Sequence, residues 1–326
     1  MLLRHIRYLL AVVEHGNFTR AAEALYVSQP TLSQQIKQIE ELLGTQLLDR
    51  SGRTVYTTDA GQVYIDYARR ALRELDAGRR AIHDVSDLTR GTLRLATTPT
   101  FTSYLVGPLI ARFNRRHPDI ALHIIEMPLD AVEVALLEDH VDIGIAFSTA
   151  RSTEIECQPL FIEKLSVVVG RQHPFAKRSA TISASDLGKE PLALLTADFA
   201  TRMHVDAYLQ KQRVAPKIVI EANTINAIVE IIRHGNVVTI LPYATARENE
   251  ALQDIPLLPP LPHRTVALLR RKGGYQSTAC TAFAELAEAS LSVRPDSATQ
   301  GTADAKSRAI ESLSPATPAS NVYLAR

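Results

Sequence analysis

The chain has 326 residues, 46% of them hydrophobic, which is enough for two or three domains with cores of their own. Its 36 lysines and arginines nearly balance 35 aspartates and glutamates, so no overall basic field indicates a nucleic-acid partner, and no apolar run approaches the ~20 residues that span a membrane. Only Cys157 and Cys280 are present, which excludes a disulfide framework; with no signal-peptide pattern at the start, we expect a cytoplasmic protein without a membrane partner.

Residues 3 to 43 predict three helices, of which the second and third form a helix-turn-helix. Asn17 and Ser28 are suitable N-caps for these two helices, and Pro30 occupies the first turn of the third. Apolar residues recur in the third helix at helical spacing and are expected to be buried: Leu32, Ile36, Ile39 and Leu43. Its outward face carries amide and hydroxyl groups suited to base edges and phosphates, although an ordinary solvated helical hairpin would also be polar there.

Residues 47 to 58 predict a β-hairpin with Ser51 and Gly52 in its turn. A hairpin after a recognition helix is a wing, and its arginines can reach phosphates or an adjacent minor groove. Residues 1 to 60 contain six basic and six acidic residues, so DNA contact requires the basic side chains to cluster on one face. The candidate DNA-binding residues are Arg20, Ser28, Gln29, Pro30, Thr31, Ser33, Gln34, Lys37, Arg50 and Arg53.

This segment resembles the N-terminal domain of LysR-type transcriptional regulators. The matching residues are Ala21, Ala22, Leu25, Ser28, Gln29, Pro30, Ser33, Ile36, Glu40, Gly44, Leu47 and Arg50. The resemblance extends over roughly residues 1 to 290, and later stretches are similar to the members that control cyanate degradation. It implies double-stranded promoter DNA as a partner, contact with RNA polymerase, a homodimer or homotetramer, and activation of a metabolic operon with repression of the regulator's own gene.

A long helix is predicted from Asp59 to about Leu88, with Thr58 as its N-cap. Apolar and small residues alternate spacings of four and three, a 3.5-residue period typical of a coiled-coil seam. The predicted seam consists of Tyr64, Ala68, Ala71, Leu75, Gly78, Ile82 and Val85. Pairing of two such helices would place two recognition helices on successive half-sites of an operator.

From Gly91 onward, short β runs alternate with predicted helices such as 103–116 and 130–139, which favours a mostly parallel sheet covered by helices. The family resemblance implies that this region is a periplasmic-binding-protein-like effector domain. The expected fold is therefore an α/β multidomain protein with a winged helix-turn-helix (1–58), a long dimerisation linker helix (59–90), a two-lobed α/β effector domain (lobe I 91–164 and 265–290, lobe II 165–264) and a disordered tail (291–326).

Ligands of such folds bind beyond the carboxyl ends of the strands, where this chain carries hydroxyl-rich loops. Hydroxyls and free N–H groups at helix starts can hold a small anion, and the resemblance implies that the anion is cyanate. Ordinary helix capping explains several of these hydroxyls equally well. The candidate effector-binding residues are Thr98, Thr100, Phe101, Thr102, Phe147, Ser148, Phe199, Thr201, Arg202 and Asn223.

The sequence predicts no catalytic residues, no metal site and no cofactor, since it contains no HExxH, CxxC or phosphate-binding loop. The expected function is that of a sequence-specific DNA-binding transcriptional regulator that responds to a small anion and is not an enzyme. Two alternatives stay open. The cleft could serve an enzyme or a small-molecule binding protein, or Cys157 and Cys280 could make the chain a redox-sensing regulator.

Overall fold

The computed structural model describes residues 3–52, 54–83, 91–178 and 181–291. Its N-terminal part is a helical unit with a short hairpin, followed by one long helix. The elements are α1 (Leu3–His15), α2 (Phe18–Ala24), α3 (Gln29–Leu43), β1 (Leu48–Asp49), β2 (Tyr56–Thr57) and α4 (Asp59–His83). The winged helix-turn-helix expected from the sequence is confirmed.

Both predicted N-caps are present in the helix-turn-helix. The Asn17 side chain accepts hydrogen bonds from the first amides of α2, and the Ser28 hydroxyl accepts one from the amide of Thr31. Leu32, Ile36 and Ile39 are buried as expected. The prediction that Leu43 is buried is wrong: it is 39% exposed because α3 ends there, at a left-handed Gly44.

The wing is attached to α3 through the Glu40 carboxylate. Its Oε1 accepts hydrogen bonds from the amides of Leu47 (2.9 Å) and Leu48 (3.1 Å), while Oε2 pairs with Arg50 at 2.6 Å. In the hairpin, Leu48 lies opposite Thr57. The predicted DNA contact Arg53 lies outside the described residues.

The first turns of α4 pack onto the N-terminal core rather than forming a free seam. Ile65 is fully buried and Ala68 nearly so, whereas Leu75 and Ile82 are 50% and 72% exposed. The helix therefore divides into a part that belongs to the N-terminal unit and a part further along, where Ala77 is buried but Leu75 and Ile82 are exposed. Val85, the last predicted seam residue, lies outside the described residues.

Lobe I begins with a parallel βαβ arrangement. Its elements are β3 (Gly91–Thr97), α5 (Pro99–Phe101), a π-helical turn (Thr102–Val106), α6 (Gly107–Arg116), β4 (Ile120–Glu126), α7 (Leu129–Leu137), β5 (Ile143–Phe147) and β6 (Ile155–Glu163). The helices expected at 103–116 and 130–139 are observed with shifted starts, while strand β6 was not anticipated from the sequence.

The remaining elements build lobe II and then return to lobe I. They are β7 (Leu165–Gly170), α8 (Pro174–Arg178), β8 (Ile182–Ser183), α9 (Ala184–Leu187), β9 (Pro191–Leu195), α10 (Ala200–Lys211), β10 (Lys217–Ala222), α11 (Ile225–His234), β11 (Thr239–Pro242), α12 (Tyr243–Arg247), β12 (Leu252–Ile255), β13 (Leu257–Leu258), β14 (Arg264–Arg271) and α13 (Thr278–Leu291).

The five-stranded sheet of lobe I has the order β4-β3-β5-β14-β6, and β14 is antiparallel to both of its neighbours. The expectation that a strand near Thr265 returns to the first lobe is confirmed. The chain thus passes between the lobes twice, once after Glu163 and once before Arg264. Lobe II is built around β7, which lies between β11 and β12, and a bridge from Leu192 to Val238 connects β9 to it.

The two cysteines lie on opposite faces of this sheet. Cys157 is opposite Leu269 in the ladder and packs into the cluster beneath α7. Cys280 lies on α13 and packs with Leu268 and Phe283 on the other face. The sheet therefore lies between the two thiols. Within the described ranges, no helix combines the length and apolar character needed to cross a membrane.

Alanine substitutions at two glycines of α4 should change the free energy of unfolding in opposite directions. A Cβ on Gly61 would lie 1.9 Å from the backbone oxygen of Leu47, so Gly61→Ala should lower the free energy of unfolding by about 1–3 kcal/mol. A Cβ on Gly78 meets no atom within 4 Å, so Gly78→Ala should raise it by about 0.5–1 kcal/mol. Denaturant unfolding of both variants measures this; equal effects would show that the junction between β1 and α4 is not tightly packed.

Candidate functional sites

The outward face of α3 is a polar surface. Gln29, Gln34 and Lys37 are exposed, and Ser33 is half-buried beside them. Arg20 and Pro30 are also exposed nearby. The chain thus brings most of the predicted DNA-binding residues onto one accessible surface, and their contact with DNA stays a prediction.

Four predicted DNA-binding residues also have partners within the protein, and one of them is Lys37, whose Nζ lies 3.6 Å from Glu41 Oε1. The Ser28 and Thr31 hydroxyls hydrogen-bond each other at 2.7 Å as part of the cap of α3. Arg50 pairs with Glu40, and its guanidinium lies 5.0 Å from the ring centroid of Phe18. Arg50 therefore stabilises the wing, whether or not it also contacts a phosphate.

A cavity of about 740 Å³ lies between the two lobes. Lobe I contributes the end of β3, the start of α5 and the end of β5, and lobe II contributes the start of α10. The lining includes five of the predicted effector-binding residues, namely Thr98, Thr100, Phe147, Ser148 and Phe199. These side chains come from segments 100 residues apart in the chain, as expected for a cleft at the strand ends.

A chain of hydrogen bonds crosses the cleft. Arg264 Nη1 and Nη2 each lie 3.3 Å from Thr201 Oγ1, which lies 3.2 Å from Thr100 Oγ1. A guanidinium can only donate, so the Thr201 oxygen accepts from Arg264. Either hydroxyl can donate in the Thr201–Thr100 bond. Donation from Thr201, whose oxygen already accepts from Arg264, leaves the Thr100 proton available to an acceptor in the cavity.

Thr98 adds a second hydroxyl to this region. Its side chain is 4% exposed, and its Oγ1 has no hydrogen-bond partner among the described residues. Although Thr98 occupies the N-cap position of α5, its side chain makes no capping bond. A buried hydroxyl without a partner costs free energy, and a ligand with an acceptor atom would remove that cost.

The positive charge in the cleft comes from a residue that sequence reasoning missed. Arg264 is 8% exposed, and its guanidinium carbon lies 4.0 Å from the ring centroid of Phe147. Nη2 donates to Glu163, which also accepts a hydrogen bond from Tyr104 Oη at 2.7 Å. Burial lowers the pKa of Arg264 while Glu163 opposes that shift, and burial together with Glu163 raises the pKa of Tyr104 well above its usual value.

Five predicted effector-binding residues do not line the cavity, and one of them is Thr201, which is buried beside Arg264 and Thr100. Phe101 is fully buried behind its wall, with its ring centroid 5.0 Å from that of Phe147. Thr102 and Asn223 are exposed outside the cleft. Arg202, assigned from the sequence as an added charge, points to other partners: Asp206 (2.9 Å), Glu221 (2.5 Å) and the carbonyl of Leu195 (2.7 Å).

The outer part of the cavity contains charged and imidazole groups that are not among the ten candidate effector-binding residues. Asp130, Arg151, Asp198, His204 and His263 line it. His204 Nε2 lies 2.8 Å from the carbonyl of Pro262, and burial lowers its pKa. Among the described residues, no three His, Cys, Asp or Glu side chains are placed to hold a metal ion.

Two family models cover most of the chain. Residues 3–62 match the bacterial regulatory helix-turn-helix protein, lysR family, and residues 86–292 match the LysR substrate binding domain. The second match alone spans more than half of the chain.

Similar proteins agree with these matches. A probable RuBisCO transcriptional regulator of Trichormus variabilis is 31% identical over 292 residues, covering 87% of this chain and 86% of that protein. The hydrogen peroxide-inducible genes activator of Dickeya chrysanthemi is 30% identical, with 84% and 90% covered. A full-length OxyR variant from Pseudomonas aeruginosa has a similar structure, with a TM-score of 0.63, 25% identity, and 90% and 95% covered. The chain thus belongs to the LysR family of DNA-binding transcriptional regulators.

Proposed function

We propose that this regulator binds promoter DNA through the outward face of α3 and responds to a small anion bound between the lobes. The observation that carries the effector assignment is the hydrogen-bond chain from Arg264 through Thr201 to Thr100. With Thr201 as the donor to Thr100, the Thr100 proton favours ligands that accept hydrogen bonds, and the buried guanidinium adds a preference for negative charge.

Cyanate is the effector we propose to test first, on the sequence resemblance to regulators of cyanate degradation. The cavity of about 740 Å³ is much larger than a triatomic anion, so cyanate would fill only a small part of it. A carboxylate with an apolar body would instead fill the space towards Leu129 and Met203. Comparing the affinity for cyanate with the affinity for larger carboxylates therefore shows which size of effector the cleft accepts.

Assembly into a homodimer or homotetramer is part of the proposal. Leu75 and Ile82 are exposed on the C-terminal half of α4, a surface suited to pairing with the same helix of a second copy. A symmetric dimer would present two α3 faces to successive half-sites. Activation of an operon, repression of the regulator's own gene, contact with RNA polymerase and a cytoplasmic location are proposed from the family. We propose no enzymatic activity for the cleft.

The redox alternative gains interest from the relatives named as hydrogen peroxide-inducible activators, but the geometry of this chain favours the anion. Cys157 and Cys280 are separated by the five-stranded sheet. Burial raises the pKa of both thiols, that of Cys280 to about 12. Since the thiolate is the reactive form, neither side chain suits rapid oxidation.

Thiol labelling tests this conclusion. With a pKa of about 12, the thiolate fraction of Cys280 at pH 8 is on the order of 10⁻⁴, so iodoacetamide should modify it only after unfolding. Intact-mass spectrometry of native and denatured protein, before and after hydrogen peroxide treatment, measures this. A peroxide-induced Cys157–Cys280 disulfide in the native protein would establish the redox alternative instead.

The DNA-binding role of α3 predicts a specific salt response for Lys37→Gln. Loss of one phosphate contact should weaken binding to a fragment from upstream of the regulator's own gene and reduce the slope of log K against log salt by about 1. Lys217→Gln, which alters an exposed lysine of lobe II, is the matched control and should leave both values unchanged. An unaltered slope for Lys37→Gln would remove this residue from the interface.

The hydroxyl chain predicts that Thr100→Val and Thr201→Val weaken effector binding. Each removes a donor or relay at nearly constant volume, so affinity should fall about 10–100-fold, the range for a hydrogen bond to a charged group. Thermal unfolding of the full-length variants against cyanate, azide, bicarbonate, nitrate and acetate provides the measurement. The control is Thr102→Val, an exposed position outside the cavity; equal effects at all three positions would place the anion elsewhere.

A further inference from the structure

The ion pair between Glu163 and Arg264 joins the two segments through which the chain passes between the lobes. Glu163 is the last residue of β6, Arg264 is the first of β14, and the two are direct neighbours in the ladder. Both side chains are almost fully withdrawn from solvent, with 3% and 8% of their surface exposed. A charge pair at this position responds to anything that competes for either partner.

The two members of the pair differ in how fully they are bound. Glu163 is held from behind by Tyr104, which donates to Oε1 while Arg264 donates to Oε2. Arg264 also contacts Thr201, but its Nε is buried without a hydrogen-bond partner in the described part of the chain. Arg264 lines the cavity and keeps one N–H donor without a partner, whereas the carboxylate of Glu163 is satisfied inside the protein.

We propose that Arg264 is the specificity-determining residue that distinguishes anionic from neutral effectors, with Glu163 as the internal counter-ion that an incoming anion partly replaces. This inference rests on the proposed function, because it assigns a role within the same cleft. A neutral ligand of the same shape cannot compete with Glu163 for the guanidinium. Monoanions with two acceptor oxygens match the fork of the guanidinium best, so carboxylate, bicarbonate and nitrate groups are the favoured chemistry.

The ion pair also explains how binding of a ligand in the cleft can change the arrangement of the two lobes. When an anion shares Arg264, the contact between the end of β6 and the start of β14 weakens, while contacts from Arg264 to the ligand and Thr201 increase. The empty and occupied clefts then favour different arrangements of the two crossovers, as differential binding requires.

Glu163→Gln provides the test, with the full-length protein. Removing the counter-ion leaves Arg264 buried and unpaired, so the variant should unfold at a lower temperature than the wild type in anion-poor buffer. Nitrate and acetate should then bind it about tenfold more tightly than they bind the wild type, whereas acetamide, the neutral analogue of acetate, should gain nothing. A side chain with only a structural role would give lower stability without tighter anion binding.

Two further variants make the result specific. In Glu163→Gln combined with Arg264→Gln, neither charge remains, and the difference between acetate and acetamide should disappear. Glu221→Gln removes a carboxylate from Arg202, outside the cavity, and should leave anion binding as in the wild type. Anion affinities of Glu163→Gln that equal those of the wild type, or an acetate preference that survives in the double variant, would overturn the inference.

The response of the wild type is a separate readout. No anion response in the wild type would count against the proposed effector class, while tighter nitrate binding by Glu163→Gln would still support the role of Arg264. If Glu163→Gln does not fold, Arg264→Lys and Arg264→Gln decide the question. If Arg264 recognises charge, Arg264→Lys retains the preference for acetate over acetamide and Arg264→Gln loses this preference. The same preference in both variants would contradict the inference.

Discussion

The return of β14 to the sheet of lobe I is the constraint on which the effector half of the molecule depends. Because β14 lies between β5 and β6, the first lobe is completed only after the whole of the second lobe has been built. The chain must therefore pass between the lobes twice at adjacent points, and the cleft opens beside those crossovers. Arg264 lies there because it is the first residue of the returning strand.

The other end of β14 contacts the linker helix. Arg271, its last residue, donates to Glu74 of α4 at 3.0 Å and lies 3.5 Å from Asp139. One continuous strand thus has a cleft residue at its start and a linker contact at its end. Because β14 is hydrogen-bonded to β5 on one side and β6 on the other, this strand connects the cleft to the helix that follows the DNA-binding unit.

Local signals in the sequence were sufficient for much of the fold. Caps such as Asn17 and Ser28, and the apolar period of α3, depend on neighbours within a few residues, so they could be predicted without tertiary information. Strand β6 could not: it contains Pro159 and mixes polar with apolar residues, because it is an edge strand with a register shift opposite β14. The start of α4 at Asp59 was predicted correctly, and its predicted end near Leu88 lies outside the described residues. Which of its residues pack onto the N-terminal core depends on contacts distant in the chain.

Of the two arginines Arg202 and Arg264, the local sequence pattern points to the first, whereas the second lines the cavity. Arg202 directly follows a hydroxyl at a helix start, a local pattern typical of anion binding, yet Asp206 one turn later and Glu221 on β10 engage it. The residues around Arg264 show no local pattern typical of anion binding; Arg264 is followed only by an apolar strand. Its importance follows from burial, since a guanidinium withdrawn from water must find acceptors inside the protein or in a ligand. Glu163, Thr201 and the ring of Phe147 provide only part of that environment. The cleft lining therefore includes a buried guanidinium with one N–H donor that no described residue accepts, and the proposed preference for anions rests on this feature.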